Sequence, residues 1–429
     1  MTAPAPALGA RQFLNDLLNA ALAAADPAKN IAAHLPPKPK GRTVVVGAGK
    51  AAAAMAAAVE AHWDGPLSGL VICPYGHGLP TQHIEVAEAS HPVPDSAGFR
   101  AATRMLAQLQ NLTEDDLVIA LISGGGSALM SLPAPGLSLE DKQLVNRGLL
   151  MSGAPIGEIN CVRKHLSAVK GGRLALAAWP ARVHTLAVSD VPGDDPAVIA
   201  SGPAVADPST AQQALEIVRR YKLEIPFAVI QYLRKSTEET PKPGDPRLER
   251  CSFSIIARPA DALAAAAQAA RAQGVTPILL GDAIEGEARE VARAMAGMAL
   301  SASRLGMPAE PPCVLISGGE TTVTVQGRGQ GGPNGEFAAA LALALQGRNN
   351  ISAIACDTDG MDGASGAAGA IVLPDTLVRA KAKDIDVRRI LAHNDSSGLF
   401  GPLGDLVITG PTRTNVNDFR AIYIPGGAQ

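Results

Sequence analysis

Apolar residues along this chain arrive in short unbroken runs that stop at glycine, serine or aspartate. The sharpest run is DLVIALISGGGSA at 116–128. Leu117 to Ile122 is apolar throughout, as a strand buried on both faces would be, and it ends in Ser123, Gly124, Gly125, Gly126 and Ser127. Similar runs predict strands over 43–46, 69–73, 185–188, 252–257, 275–280, 313–316, 321–325 and 351–356. Between them, Ala- and Leu-rich stretches predict helices over 10–25, from residue 52 to about 62, and over 96–111, 260–273, 286–303 and 337–346. Strand and helix alternate in both halves, which argues for an α/β protein with parallel sheets between helical layers. The Pro-rich segment 35–40 reads as a linker. Segment 236–249 turns to Pro, Thr and charge and marks a boundary, giving domains over 1–240 and 250–429.

Composition narrows the function without choosing it. At 429 residues the chain is too long for one typical core, which agrees with two domains. Aromatics are only 3% and the net charge is -3, so base stacking and a basic footprint are both missing and no nucleic-acid partner is expected. Five scattered cysteines without a Cys-x-x-Cys pair suggest neither a zinc site nor a disulfide framework, and a reducing cytoplasm is the expected location. No apolar run approaches the ~20 residues that span a bilayer, and no basic-then-apolar leader opens the sequence, so no membrane partner is expected.

The candidate chemistry lies where the apolar runs end. Gly47-Ala48-Gly49-Lys50 puts backbone N–H groups and a helix start beside a lysine, and the Ser123–Ser127 glycine loop offers amides and hydroxyls to an anion. Leu-Ile-Ser-Gly-Gly recurs at 315–319, so Gly318, Gly319 and Glu320 form a second such loop. Asp190, after the run 185–188, and Asp357 and Asp359, after 351–356, are carboxylates of the kind a hard divalent cation takes. On a helix, Asn160, Arg163 and Lys164 share a face able to hold a carboxylate or phosphate; the other reading is a solvated basic edge. The loop 327–336 holds five glycines and opens a helix, which makes it either an anion site or a mobile linker. Ser90-His91-Pro92-Val93-Pro94-Asp95 reads as a rigid turn, and Asn394 sits in a late polar loop. The G-x-G-x-x-A match ending at Ala52 is a weak dinucleotide signal, since the next strand ends in Pro74-Tyr75 with no ribose-binding acid. H-E-x-x-H and G-x-S-x-G motifs are both missing, which argues against zinc and serine hydrolases.

Taken together, VGAGKAA (46–52), SHPVPD (90–95), SGGGSAL (123–129), NCVRKHLSAVKGG (160–172), SDVPGDD…ASGP (189–203), SGGETTVTVQG (317–327), DTDGMDG (357–363) and TGPTRTNVND (409–418) resemble the glycerate 2-kinases with a C-terminal MOFRL domain. The resemblance runs in order from about residue 10 to 425. It implies a Rossmann-like N-terminal domain, an α/β domain containing the MOFRL region (about 310–425), and an active site in the interdomain cleft. It also implies transfer of a phosphoryl group from ATP, with Mg2+, to the 2-hydroxyl of D-glycerate by a monomer or homodimer. Lys50 matches the family lysine implicated in catalysis. The family's second basic residue, an arginine in a G-G-R-N-Q-E pattern, falls where this chain has Pro333, so that role is not carried over. On this reading Lys50 offsets charge on the moving phosphoryl group, aided by Gly49 and the loop amides. Asp190, Asp357 and Asp359 serve the metal and the hydroxyl proton, while Arg163, Lys164, Asn160 and Asn394 hold the acid. Some family members carry the label hydroxypyruvate reductase, which makes an NAD(P)H-dependent reductase the alternative. Phosphoryl transfer rests on positioning and charge neutralisation, which the cations, carboxylates and amides here supply.

Overall fold

The computed structural model describes residues 9–235 and 239–426, so Ser236, Thr237 and Glu238 of the expected boundary lie outside the described residues. The chain forms two units, one of residues 27–256 and the other joining the segment up to 26 with 257 onward. A first domain counted from residue 1 therefore needs correction. The leading helix, Ala10–Ala24, buries Phe13, Leu14, Leu17, Leu18 and Ala21 within the later unit, where the Phe13 ring lies 4.7 Å from that of Tyr423. Periodicity reveals that this helix has an apolar face, but not which distant surface will cover it.

Six strands organise the unit 27–256: β1 (Thr43–Ala48), β2 (Ser68–Pro74), β3 (Ile84–Ala89), β4 (Leu117–Ile122), β5 (Arg182–Val188) and β6 (Cys251–Ala257). Their order is β3-β2-β1-β4-β5-β6, the order of a doubly wound dinucleotide-binding sheet. β1 and β4 are buried at every position, which explains their unbroken apolar runs. Ala48 lies in parallel register with Ile122, and Ile122 with Ala187, so the segments following β1, β4 and β5 leave the same edge side by side. The strand order reverses between β1 and β4. Open α/β sheets bind ligands in the crevice at such a reversal, so Lys50, the Ser123–Ser127 loop and Asp190 are placed at that edge by topology alone.

The other unit continues with β7 (Thr276–Leu279), β8 (Gly286–Glu287), β9 (Cys313–Ser317), β10 (Thr321–Thr322), β11 (Ser352–Asp357), β12 (Gly369–Val372), β13 (Leu406–Val407) and β14 (Asp418–Ile424). Its six-stranded sheet runs β13-β12-β11-β14-β9-β7, and β8 pairs with β10 separately. This sheet is mixed, against the parallel expectation. β14 enters antiparallel between β9 and β11, and β12 is antiparallel to β11. An apolar run carries no direction, and β14 itself is hidden in the sequence because Asp418 and Arg420 interrupt its apolar pattern. Strand β10 stops well short of the expected 321–325, since Thr324 N–H turns instead to the Glu287 carboxylate at 3.1 Å. The ends of β9 and β11 and the start of β14 fall on one edge, which gathers Gly318–Glu320, Asp357–Asp359 and Asp418. Among the described residues no helix is long and apolar enough to cross a membrane.

Candidate active site

In the first unit the two glycine loops are locked into each other. Lys50 N–H donates to Gly124 O at 2.8 Å, Ser123 N–H to Ala48 O at 3.2 Å, and Ala51 N–H to Ser123 Oγ at 3.0 Å. Gly49 has φ +145°, and a Cβ there would stand 2.0 Å from Ser123 Oγ and 2.6 Å from Ser123 O. Gly125 has φ +79°, and its Cβ position lies 3.4 Å from Lys50 Cγ and 3.0 Å from His91 Nε2. These glycines are thus required by space as well as by backbone angle, and they bring Lys50 and His91 against the loop. Gly49→Ala is expected to cost about 1–3 kcal/mol through the forced shift of Ser123, read as a lowered urea midpoint. A midpoint equal to that of the unsubstituted chain would mean that the loops are not interlocked as described. The expected turn before the next helix is present, with Asp95 accepting from Gly98 N–H at 2.9 Å and from Tyr75 OH at 2.7 Å.

Beyond Gly125 the loop becomes a short helix, Gly126–Leu129, and Ser127 starts a polar chain. Lys170 Nζ donates to Ser127 Oγ at 2.7 Å, Ser127 Oγ lies 3.0 Å from Ser201 Oγ, and Ser201 Oγ donates to Asn160 Oδ1 at 3.1 Å. The turn carrying Lys170 is fastened to the one carrying Ser201 by Gly171 N–H to Ser201 O (3.1 Å) and Gly172 N–H to Gly202 O (2.8 Å). Ala200 and Ser201 are held at φ +49° and +64°, a strained conformation for non-glycine residues that surrounding structure must impose. Arg163 Nε donates to Asn146 Oδ1 at 3.1 Å, and Lys142 Nζ reaches Leu132 O at 3.4 Å.

Lys164 departs from the expected shared face. Its ammonium pairs with Asp207 at 3.4 Å, and Asp207 also accepts from Ser209 Oγ at 2.7 Å and Thr240 Oγ1 at 3.0 Å. Lys164 is therefore committed to an internal ion pair, while Asn160 belongs to the Ser127 chain. The solvated-edge reading fails too, because Asn160 and Lys164 are buried. Lys142 and Lys170 were missed in the sequence. The available signal was a lysine set between Val169 and Gly171-Gly172, and nothing comparable marks Lys142.

In the second unit, Gly318 O accepts from Arg420 Nη1 at 3.0 Å and Gly319 O from Asp418 N–H at 3.2 Å, so both glycine carbonyls are held from within. Glu320 follows them on the exposed side of the loop. Asp357 Oδ1 accepts from Asp359 N–H at 2.9 Å and Asp359 Oδ1 from Met361 N–H at 2.7 Å, two successive aspartate turns at the end of β11. Asn394, expected to hold the acid, fastens the loop that follows β10. Its Oδ1 accepts from Gln326 and Gly327 N–H at 2.8 and 2.9 Å, and its Nδ2 donates to Glu336 Oε2 at 2.9 Å. The glycine loop 327–336 is neither a mobile linker nor an open anion site. A Cβ at Gly327 would lie 2.2 Å from His393 O, and the helix Pro333–Leu345 has Asp362 accepting from Asn334 N–H at 2.9 Å and Gly335 N–H at 2.8 Å. The chain's own carboxylate thus fills the anion position at that helix start. Burial pushes the Asp362 carboxyl up to about 7, against the pull of those two N–H groups.

The carboxylates expected at a metal are divided between the units, with Asp190 in one and Asp357 and Asp359 in the other. Among the described residues no group of three or more His, Cys, Asp or Glu side chains is arranged to hold a metal ion. That pattern suits Mg2+ only in its usual form with nucleotides, where one or two carboxylates join phosphate oxygens and water.

Comparison with known proteins extends over the whole fold. A domain of unknown function (DUF4147) matches residues 13–234, and the MOFRL family matches 313–418. An Agrobacterium vitis protein provisionally named hydroxypyruvate reductase is 53% identical, over 97% of this chain and 95% of its own. D-glycerate 2-kinase of Thermotoga maritima is 40% identical over 94% of this chain and 95% of its own. The crystal structure of glycerate kinase from Thermotoga maritima superposes with a TM-score of 0.86 at 38% identity, covering 96% of this chain and 99% of the other.

Proposed function

Since this chain belongs to the glycerate kinases that carry a C-terminal MOFRL domain, we propose that it transfers the γ-phosphoryl group of ATP to the 2-hydroxyl of D-glycerate. The products are ADP and 2-phosphoglycerate. The observation that carries this reading is the interlocked pair of glycine loops at the strand-order reversal, with Lys50 on one and the Ser127 chain on the other. Phosphoryl transfer asks a protein mainly for oriented donors and positive charge around the oxygens of the moving group, where negative charge must be stabilised in the transition state. Lys50 supplies that charge. The loop Ser123, Gly124, Gly125, Gly126, Ser127 fixes the phosphates; Gly318, Gly319 and Glu320 form a similar loop within the second unit. Asp190 accepts the proton of the attacking hydroxyl, and Asn160 and Arg163 orient the acid.

Mg2+ bound with the nucleotide would screen charge on the phosphate oxygens. Asp190 at the edge of β5 would hold it beside the first-unit loops, one carboxylate joining phosphate oxygens and water as Mg2+ accepts; the aspartate pair Asp357 and Asp359 offers carboxylates of the same kind at the sheet edge of the second unit. Asp190→Asn is expected to raise the Mg2+ concentration needed for half-maximal rate by about tenfold or more, as loss of a charged ligand should. An unchanged Mg2+ titration would place Asp190 outside the metal's reach.

A reductase reading draws on the name of the Agrobacterium vitis relative, and the sheet argues against it. β2 ends at Pro74 and is followed by Tyr75, and the nearby Glu88 Oε1 accepts from Gly76 and Gly78 N–H at 3.1 and 3.0 Å. The acid that would read a nicotinamide cofactor's ribose is therefore missing from its place. Phosphorus NMR after incubation with ATP, Mg2+ and D-glycerate tests the proposal directly. A 2-phosphoglycerate resonance is expected. NADH oxidation with hydroxypyruvate, together with no consumption of ATP, would reverse the assignment.

A further inference from the structure

Three cations in the first unit are buried close together without an anion to match them. Lys142 is 3% and Lys170 2% exposed, and Arg163 is half-buried beside them. Their polar contacts are all to neutral oxygens: Leu132 O for Lys142, Ser127 Oγ for Lys170 and Asn146 Oδ1 for Arg163. Among the described residues no carboxylate forms an ion pair with any of the three, whereas Lys164, next to Arg163 in the chain, has Asp207. Burial, reinforced by the charge of Arg163, brings the Lys142 ammonium down to about 7. Burial together with Lys142 and Arg163 puts Lys170 well below the usual lysine range. Grouping like charges away from water is unfavourable unless a counter-charge arrives.

We propose that Lys142, Arg163 and Lys170, with the hydroxyls of Ser127 and Ser201, form an oxyanion subsite that a carboxylate or phosphate completes. This rests on the glycerate kinase reading for one further step, in which the group held there is the carboxylate of the acceptor acid. The loop Gly125–Ser127 gives the geometry its sense. Lys50 packs against it at Gly125, and Lys170 bonds to it at Ser127. A short hydroxy acid anchored by its carboxylate on the Ser127 side would direct its hydroxyl back along the loop toward the lysine that offsets charge on the moving phosphoryl group. Half-buried Ser127 and Arg163 form the rim through which an anion enters. The polar chain Lys170–Ser127–Ser201–Asn160 holds the donors in place before it arrives, so little ordering remains to be done on binding.

Titration calorimetry on the full chain tests this, with Lys142→Met and Lys170→Met as the variants. Each is expected to weaken D-glycerate binding by about tenfold or more while ADP affinity changes by less than about twofold. The thermal midpoint of the ligand-free variants should equal or exceed that of the unsubstituted chain, because methionine fills the space without a buried charge. A lowered midpoint with unaltered glycerate affinity would make the lysines structural and overturn the proposal. Inorganic phosphate serves as a second probe. Lysine-dependent phosphate binding by a chain that takes no D-glycerate would support the subsite and remove the glycerate reading. Glycerate binding indifferent to both substitutions would do the reverse.

Discussion

Lys50→Ala is expected to lower kcat for glycerate phosphorylation by about 10²–10⁴-fold with little change in the urea midpoint. The separation follows from how the residue is held. The backbone of Lys50 is fixed by Gly124 O, and that bond survives the substitution, while the side chain leaves along Gly125 and is half-buried. Loss of the ammonium therefore removes charge from the site without unfastening the loops. Because the charge matters most as the phosphoryl group moves, the effect should appear in kcat more than in the KM for either substrate. Lys50→Arg should restore little, since a planar fork does not reproduce a compact ammonium at the same depth. Turnover by Lys50→Ala within about threefold of the unsubstituted chain would take Lys50 out of the mechanism.

The second large effect is on stability. Arg420 is fully buried in β14, ion-paired to Asp418, and donates to Gly318 O at 3.0 Å and Thr321 Oγ1 at 3.1 Å. Its guanidinium also lies 5.4 Å from the Phe337 ring centre. Arg420→Met leaves Asp418 buried and short of its partner, and leaves the Gly318 carbonyl without its donor. Breaking a buried pair in this way costs about 3–5 kcal/mol, which for a unit of this size lowers its thermal midpoint by roughly 6–20 °C. The second unit should then unfold first in calorimetry. Adding Asp418→Asn should recover about half of the loss, since a neutral amide is less costly to bury than an unpaired carboxylate. A midpoint shift below about 2 °C in the single variant would mean that Arg420 does not hold the β9 loop.

Lys50 packs against the loop that ends β4 and Arg420 lies within β14, two strands whose visibility in the sequence was very unequal. The run Leu117–Ile122 could hardly be anything but a doubly buried strand, and its glycine ending announced the loop at Ser123. β14 gave no such signal, because Arg420 is charged and yet entirely enclosed. Burial of a guanidinium depends on Asp418, Gly318 and Thr321 converging on it, and their positions in the chain do not reveal that convergence. The same limit explains Lys164 and Asn394. Each looked like a ligand-binding polar residue, and each is matched by a partner far along the chain, Asp207 in one case and Glu336 in the other. Asp362 occupies the helix start that the glycine loop 327–336 seemed to leave for an outside anion.

By itself the sequence determined the α/β class, most strand positions, the glycine loops that flank Lys50 and Ser127, and the kinase family. The class, strands and loops follow from local causes, apolar runs set by two-sided burial and glycines set by backbone angle and close approach, whereas the family follows from the resemblance of the ordered motifs. Tertiary structure alone decided that the leading helix joins the later unit, that β14 runs antiparallel, and which charged groups are matched internally. It also decided that Lys142, Arg163 and Lys170 lie together with no ion-paired carboxylate among the described residues. Direction, partnership and enclosure depend on groups distant in the chain, and a residue's neighbours in sequence carry almost no information about them.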